Sequence, residues 1–422
     1  MNASTLERGE IVPATDDIAS SRLAELGEAS ARTTKPSRFD FQEFPRIPSP
    51  RRHPLQAATW LVKASFGLVS LVAVLSITAA LPAVNLLALG YLMEIQGRVA
   101  RSGKFRSAFY LLPAAAHMAG IVLGISLWLL PIRFLAGVAR DGWLVAPGGT
   151  ATWLGTAGLV SASLLVTIHL ALAIGCGGSW WRFVRPLRNF RQLRSHLRTG
   201  GYWRDAHHAI VEFVASVRLP HLLWLGLIGN VAVYIWLSVP AYLFTILNDV
   251  TNRFQIVGFV AGCVTLTITL LWVPFVVTHV ATSGRWQAMF ELRAVLRLVG
   301  QTPFRWALAT VVLLASSVVP LLYVALLKNR LPPHNVKWDL TLVFLATVVP
   351  ARILIGWAYH HASQAERPVT TWLWRIWQAA NGCLLCIGVG WYVYFLYVAA
   401  NAGELGQRAV WQFHALLAPW PF

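Results

Sequence analysis

The sequence predicts an all-α integral membrane helix bundle with about seven full crossings. A re-entrant or interfacial first element and cytoplasmic amphipathic helices complete it. Three observations lead there. Hydrophobic residues make up 56% of the 422-residue chain and charged residues only 12%, whereas soluble domains carry about 25% charge to keep their surfaces hydrated. Apolar runs recur at the length of about 20 residues that a helix needs to cross a 30 Å hydrocarbon core. The excess positive charge is confined to short segments between those runs.

Residues 1–58 come first, with eight basic and eight acidic residues. They are rich in Ser, Thr, Pro, Arg and Glu and contain no apolar signal-peptide core, which predicts a disordered cytoplasmic tail. Apolar runs follow at Leu61–Leu81, Tyr110–Phe134, Trp153–Cys176, Leu222–Phe244, Ile256–Val280, Trp306–Leu327, Leu340–Ala358 and Ile376–Ala399. Inside lipid every backbone group needs an internal partner, so these runs are expected as helices in a transmembrane domain spanning 59–400. Residues 401–422 are expected as an extracytoplasmic C-terminal tail.

Charge fixes the orientation. Residues 59–422 hold 27 basic against 9 acidic residues, which accounts for the whole net charge of +18. Basic residues cluster in alternate connections: Arg98, Arg101, Lys104 and Arg106; seven arginines from Arg182 to Arg204; Arg285, Arg293, Arg297 and Arg305; then Arg367 and Arg375. That alternation is the positive-inside pattern of a bacterial cytoplasmic membrane protein and argues against nucleic acid as a partner. A cytoplasmic N-terminus and a cytoplasmic 98–106 segment require an even number of passes between them. The break at Leu81-Pro82-Ala83-Val84-Asn85 supplies the turn. Because the second limb, Leu86–Met93, is too short to span, the 61–93 element is expected to re-enter.

Prolines sit near the ends of several runs (Pro131, Pro240, Pro274, Pro320, Pro350) and predict kinked packing. Cys176, Cys263, Cys383 and Cys386 lie in apolar segments, where a thiol behaves as a small hydrophobe. An internal repeat is suggested by Ala209-Ile210-Val211-Glu212 and Arg218-Leu219, which recur as Ala288-Met289-Phe290-Glu291 and Arg297-Leu298.

The Pro82-Ala83-Val84-Asn85 break, Gly90-Tyr91 and the basic linker after them resemble a group of bacterial multi-pass membrane proteins known only as a domain of unknown function. The polar segment Gly284–Arg297, leading into a membrane helix, is similar as well. The resemblance covers residues 80–110 and 284–327 and departs in the long tail and the arginine-rich insert. It implies this topology and brings no catalytic residues with it.

Candidate functional residues are few. On a helix, Arg191, Arg194 and Arg198 share one side and Phe190, Leu193 and Leu197 the other, forming a basic amphipathic segment within 182–206. Together with Arg182, Arg185 and Arg188 these arginines are candidate contacts for anionic lipid headgroups; the bland alternative is a loop that only anchors orientation. Residues 286–299 predict a second surface helix with Ala288, Leu292, Val295, Leu296 and Val299 on its apolar face. Arg352, about 18 Å along its helix, is costly in hydrocarbon unless paired, so it is a candidate intramembrane polar site with His117 and His169. Neutral packing is the alternative for both histidines, since no carboxylate is close in sequence.

His207-His208 and His360-His361 lack the spacing of a metal-binding histidine box, and neither H-E-x-x-H nor G-x-S-x-G occurs. No cofactor is expected. The sequence therefore favours a non-enzymatic membrane organiser or accessory protein touching anionic lipid. A small-solute or lipid transporter is the alternative, with a membrane-embedded metalloenzyme behind it.

Overall fold

The structure, a computed structural model, describes residues 47–81, 83–175, 178–199, 202–245, 253–326, 338–365 and 372–400. Most of the expected N-terminal tail, the whole C-terminal tail and the side chain of Arg198 lie outside the described residues. Among the described residues the chain forms thirteen α-helices, two 3-10 turns and no strand. Seven helical segments are long and apolar enough to cross a membrane.

Helix α1 (Pro54–Ala80) starts with proline at its first position and is about 40 Å long at 1.5 Å per residue. The chain then breaks where the sequence says it should. Leu81 is extended, Ala83 takes a positive φ of 62°, and the Asn85 amide donates back to the Leu81 carbonyl at 3.0 Å. Helix α2 (Asn85–Ser102) runs back. The first element is thus a hairpin whose first limb is itself one of the seven candidate spans. Its second limb extends nine residues beyond the expected Met93, taking in Arg98 and Arg101, which pair with Glu94.

Helix α2 is the axis of the bundle. Nearly every side chain from Ala88 to Ala100 is buried, against α1, α8 (Leu219–Thr245), α9 (Arg253–Ser283) and α12 (Trp338–Ser363). Glycines let the backbones meet. A Cβ on Gly90 would overlap the Leu222 carbonyl oxygen of α8, and one on Gly226 would overlap that of Leu86. A Cβ on Gly97 would strike Ala281 in α9, and one on Gly356 of α12 would strike Gln96. In lipid, where hydrophobic attraction between helices is lost, such close packing carries much of the association energy.

Around this axis, α3 (Leu112–Val145) and α4 (Thr150–Gly175) form an antiparallel pair attached through α1. Helices α5 (Trp180–Val184), α6 (Pro186–Thr199) and α7 (Tyr202–Val217) carry the arginine-rich segment. Helix α10 (Leu292–Gln301) leads into α11 (Pro303–Leu326), which packs on α12 and α13 (Trp372–Ala400). Pro131, Pro240, Pro274, Pro320 and Pro350 all fall inside helices.

Helices α2 and α9 end in matching turns. Val99-Ala100-Arg101-Ser102-Gly103-Lys104-Phe105 parallels Val280-Ala281-Thr282-Ser283-Gly284-Arg285-Trp286. Gly103 (φ 67°) and Gly284 (φ 66°) are left-handed caps whose amides donate to Val99 and Val280, each at 2.8 Å. The Ser102 and Ser283 hydroxyls accept from the next basic residue's amide, and a 3-10 turn follows each, Phe105–Phe109 and Trp286–Phe290. This correspondence replaces the repeat expected between 209–219 and 288–298. Ala209–Glu212 lies inside α7, whereas Ala288 to Glu291 is a 3-10 turn and its junction. Arg218 is a left-handed link (φ 58°), but Arg297 is mid-helix.

Candidate functional site at the basic end of the bundle

The C-terminal ends of α2, α9 and α12 meet. Arg101 donates to the Ala281 and Thr282 carbonyls at 3.0 and 3.4 Å, and His360 donates from Nδ1 to the Ala100 carbonyl at 3.0 Å. Cationic and N–H donors at helix C-termini satisfy carbonyls that have no intrahelical partner. Three polar groupings are built here.

The first surrounds Glu94, which is almost wholly buried. One carboxylate oxygen accepts from Arg98 at 2.7 Å and Arg101 at 3.5 Å, and the other faces His221 of α8 at 3.2 Å. Arg98 also lies 3.7 Å from the Tyr110 ring centre. These partners explain how a carboxylate can sit on the most buried helix.

The second joins Tyr359, His279, Glu291 and Arg285. His279 Nε2 is 2.7 Å from Glu291 and Nδ1 is 2.7 Å from the Tyr359 hydroxyl. A carboxylate only accepts, so Nε2 carries a proton toward Glu291. The His279 hydrogen bond lowers the Glu291 carboxyl from its ordinary value; burial opposes it, and the charges of His279 and then Arg285 add smaller lowering effects. Glu291 sits where the expected helix over 286–299 breaks. Its backbone (ψ 48°) separates the 3-10 turn from α10, so Ala288 and Val295 are buried while Leu296 is half exposed.

The third lies deeper. Arg352 is 0% exposed and donates to Gln96 Oε1 at 2.8 Å. Gln96 donates in turn to the Pro274 carbonyl at 3.2 Å and to the Thr278 hydroxyl. Arg352 therefore faces protein rather than snorkelling to the interface. His169 bonds the Phe183 carbonyl at 3.1 Å and packs on Trp128 at 4.7 Å. His117 lines a crevice beside Phe66 and Trp180.

The arginine-rich segment is anchored by Phe183. Its ring is fully buried against Gly124, and its carbonyl also accepts from Trp128 at 2.8 Å. Just outside that anchor, Arg182, Arg185 and Arg188 gather with Ser179 and Trp181 around one cavity of about 330 Å³. Arg185 lies 5.4 Å from the Trp181 ring centre. Arg191 and Arg194 are exposed further along α6.

His207 and His208 adjoin each other, and His361 donates back to Trp357. Among the described residues no three histidine, cysteine or acidic side chains converge as metal ligands. Glu94, Gln96, Glu291 and Tyr359 were not singled out as site residues by sequence. Each of the four has a partner on a different element, at least twelve positions away.

The fold and its apolar segments define an all-α, multi-pass membrane protein. No protein-family model, curated protein or solved structure matches the chain.

Proposed function

We propose that this chain is a non-enzymatic organiser or accessory protein of the bacterial cytoplasmic membrane that gathers anionic lipid at its basic, cytoplasmic end. The observation that carries this reading is the cavity shared by Arg182, Arg185 and Arg188. Guanidinium groups match phosphate oxygens in charge and in forked geometry. Each arginine near an anionic leaflet adds about 1 kcal/mol of attraction, and Arg191 and Arg194 extend the surface. The matching turns at Gly103 and Gly284, each followed by a basic residue, belong to the same end. The N-terminus is then cytoplasmic and the C-terminal tail extracytoplasmic, as the resemblance to the uncharacterised bacterial group also implies.

The test is to extract the full chain in native-lipid particles and measure the anionic share of the co-extracted lipid. Replacing Arg182, Arg185, Arg188, Arg191, Arg194 and Arg198 by Gln together should bring that share down to the bulk membrane value. An unchanged lipid composition overturns the reading.

A further inference from the structure

Ser179 lines two spaces at once. On one side is the cavity of Arg182, Arg185 and Arg188. On the other is a crevice of about 550 Å³ walled by Phe66 of α1, by His117, Gly120 and Leu123 of α3, and by Trp180. The first is cationic. The second is mainly apolar and opens beside candidate spans α1 and α3. Trp180 and Trp181 stand at the boundary, the position that amphipathic indole rings favour at a membrane interface.

We propose that the two spaces form one site for a single phospholipid molecule with an anionic head. Its phosphate lies among the three arginines, its backbone passes Ser179, and an acyl chain fills the crevice along α3. This rests on the anionic-lipid reading above and goes beyond it, since diffuse attraction needs arginines but no adjoining apolar slot. Charge complementarity selects the head and the crevice selects the tail. The fold supplies the join through Gly178, whose left-handed backbone (φ 62°) turns the chain into α5 at that point. Phe183 then fixes α5 against α3 and α4.

Gly120 provides a clean probe, because a Cβ there meets nothing within 4 Å. A larger side chain can fill the crevice without disturbing the backbone. The detergent-purified, delipidated full chain is titrated, with native mass spectrometry as readout. The ligands are phosphatidylglycerol, its deacylated headgroup, inorganic phosphate and phosphatidylcholine. Wild type should retain one phosphatidylglycerol in preference to the other three. Gly120→Phe should weaken that retention by about tenfold, a change of 1.4 kcal/mol, while headgroup and phosphate binding stay as they were. Gly120→Leu serves the same purpose if the larger variant does not fold. The triple Arg182→Gln, Arg185→Gln, Arg188→Gln variant should lose the preference over phosphatidylcholine.

Equal binding of phosphate or deacylated headgroup and intact lipid overturns the proposal, as does full retention in both Gly120 variants. If the six-arginine variant still depletes anionic lipid from native particles in that case, the organising role stands and only the discrete site falls. If neither set of variants changes lipid binding, both readings fall.

Discussion

At the scale of single residues, the bundle keeps polar side chains by pairing them across helices. Gln96 is the clearest case, since it holds Arg352, the Pro274 carbonyl and Thr278 together. Removing a neutral partner of a buried charge is more damaging than removing the charge itself, because the charge keeps its desolvation cost. Gln96→Leu should therefore destabilise the protein by about 1.5–3 kcal/mol. Arg352→Met, which leaves only a neutral amide behind, should cost clearly less. Thermal melting of the two variants in detergent gives the comparison, and the reverse order would mean that Arg352 is not held as a charge by Gln96. Little of this was legible in the sequence. Arg352 stood out as a charge in an apolar run, but its partner lies 256 positions away. Glu94 meets His221 across 127 positions. Local periodicity says that a helix forms and which face is apolar; it does not say which helices touch.

At the scale of elements, the sequence was more informative. The Leu81–Asn85 break, the apolar runs and the intrahelical prolines were all readable, because each is a local rule of backbone chemistry. The length of α2 was misjudged because Arg98 and Arg101 were placed in a basic connection; both are paired with Glu94 on a buried helix. The break at Glu291 was missed because the apolar residues of 286–299 fit a 3.6-residue period, while the interaction that fixes the turn comes from His279 and Tyr359. A sequence signal for the paired turns was nonetheless present, in Val99-Ala100 and Ser102-Gly103 against Val280-Ala281 and Ser283-Gly284. The central packing is testable through glycine. Gly90→Ala forces a methyl group onto the Leu222 carbonyl and should lower the melting temperature sharply. Gly137→Ala, in open space on α3, should be neutral or slightly stabilising by up to about 1 kcal/mol. Equal melting temperatures for the two variants would mean that α2 and α8 do not cross as closely as described.

At the scale of the whole molecule, one arrangement links the fold to the proposed function. The α2, α9 and α12 ends, the arginine-rich segment and the two glycine-capped turns all belong to a single end of the bundle, while the turn at 146–149 between α3 and α4 lies at the opposite one. The proposed lipid recognition depends on that polarity, because Arg182, Arg185 and Arg188 must then meet headgroups from one side of the membrane. Single cysteines at Lys104, Arg285 and Pro147, in a chain with Cys176, Cys263, Cys383 and Cys386 replaced, test it most directly when sealed cells are treated with a membrane-impermeant maleimide. The account predicts labelling of the Pro147 position in intact cells, and of the Lys104 and Arg285 positions only after permeabilisation. Labelling of all three from the same side would contradict it.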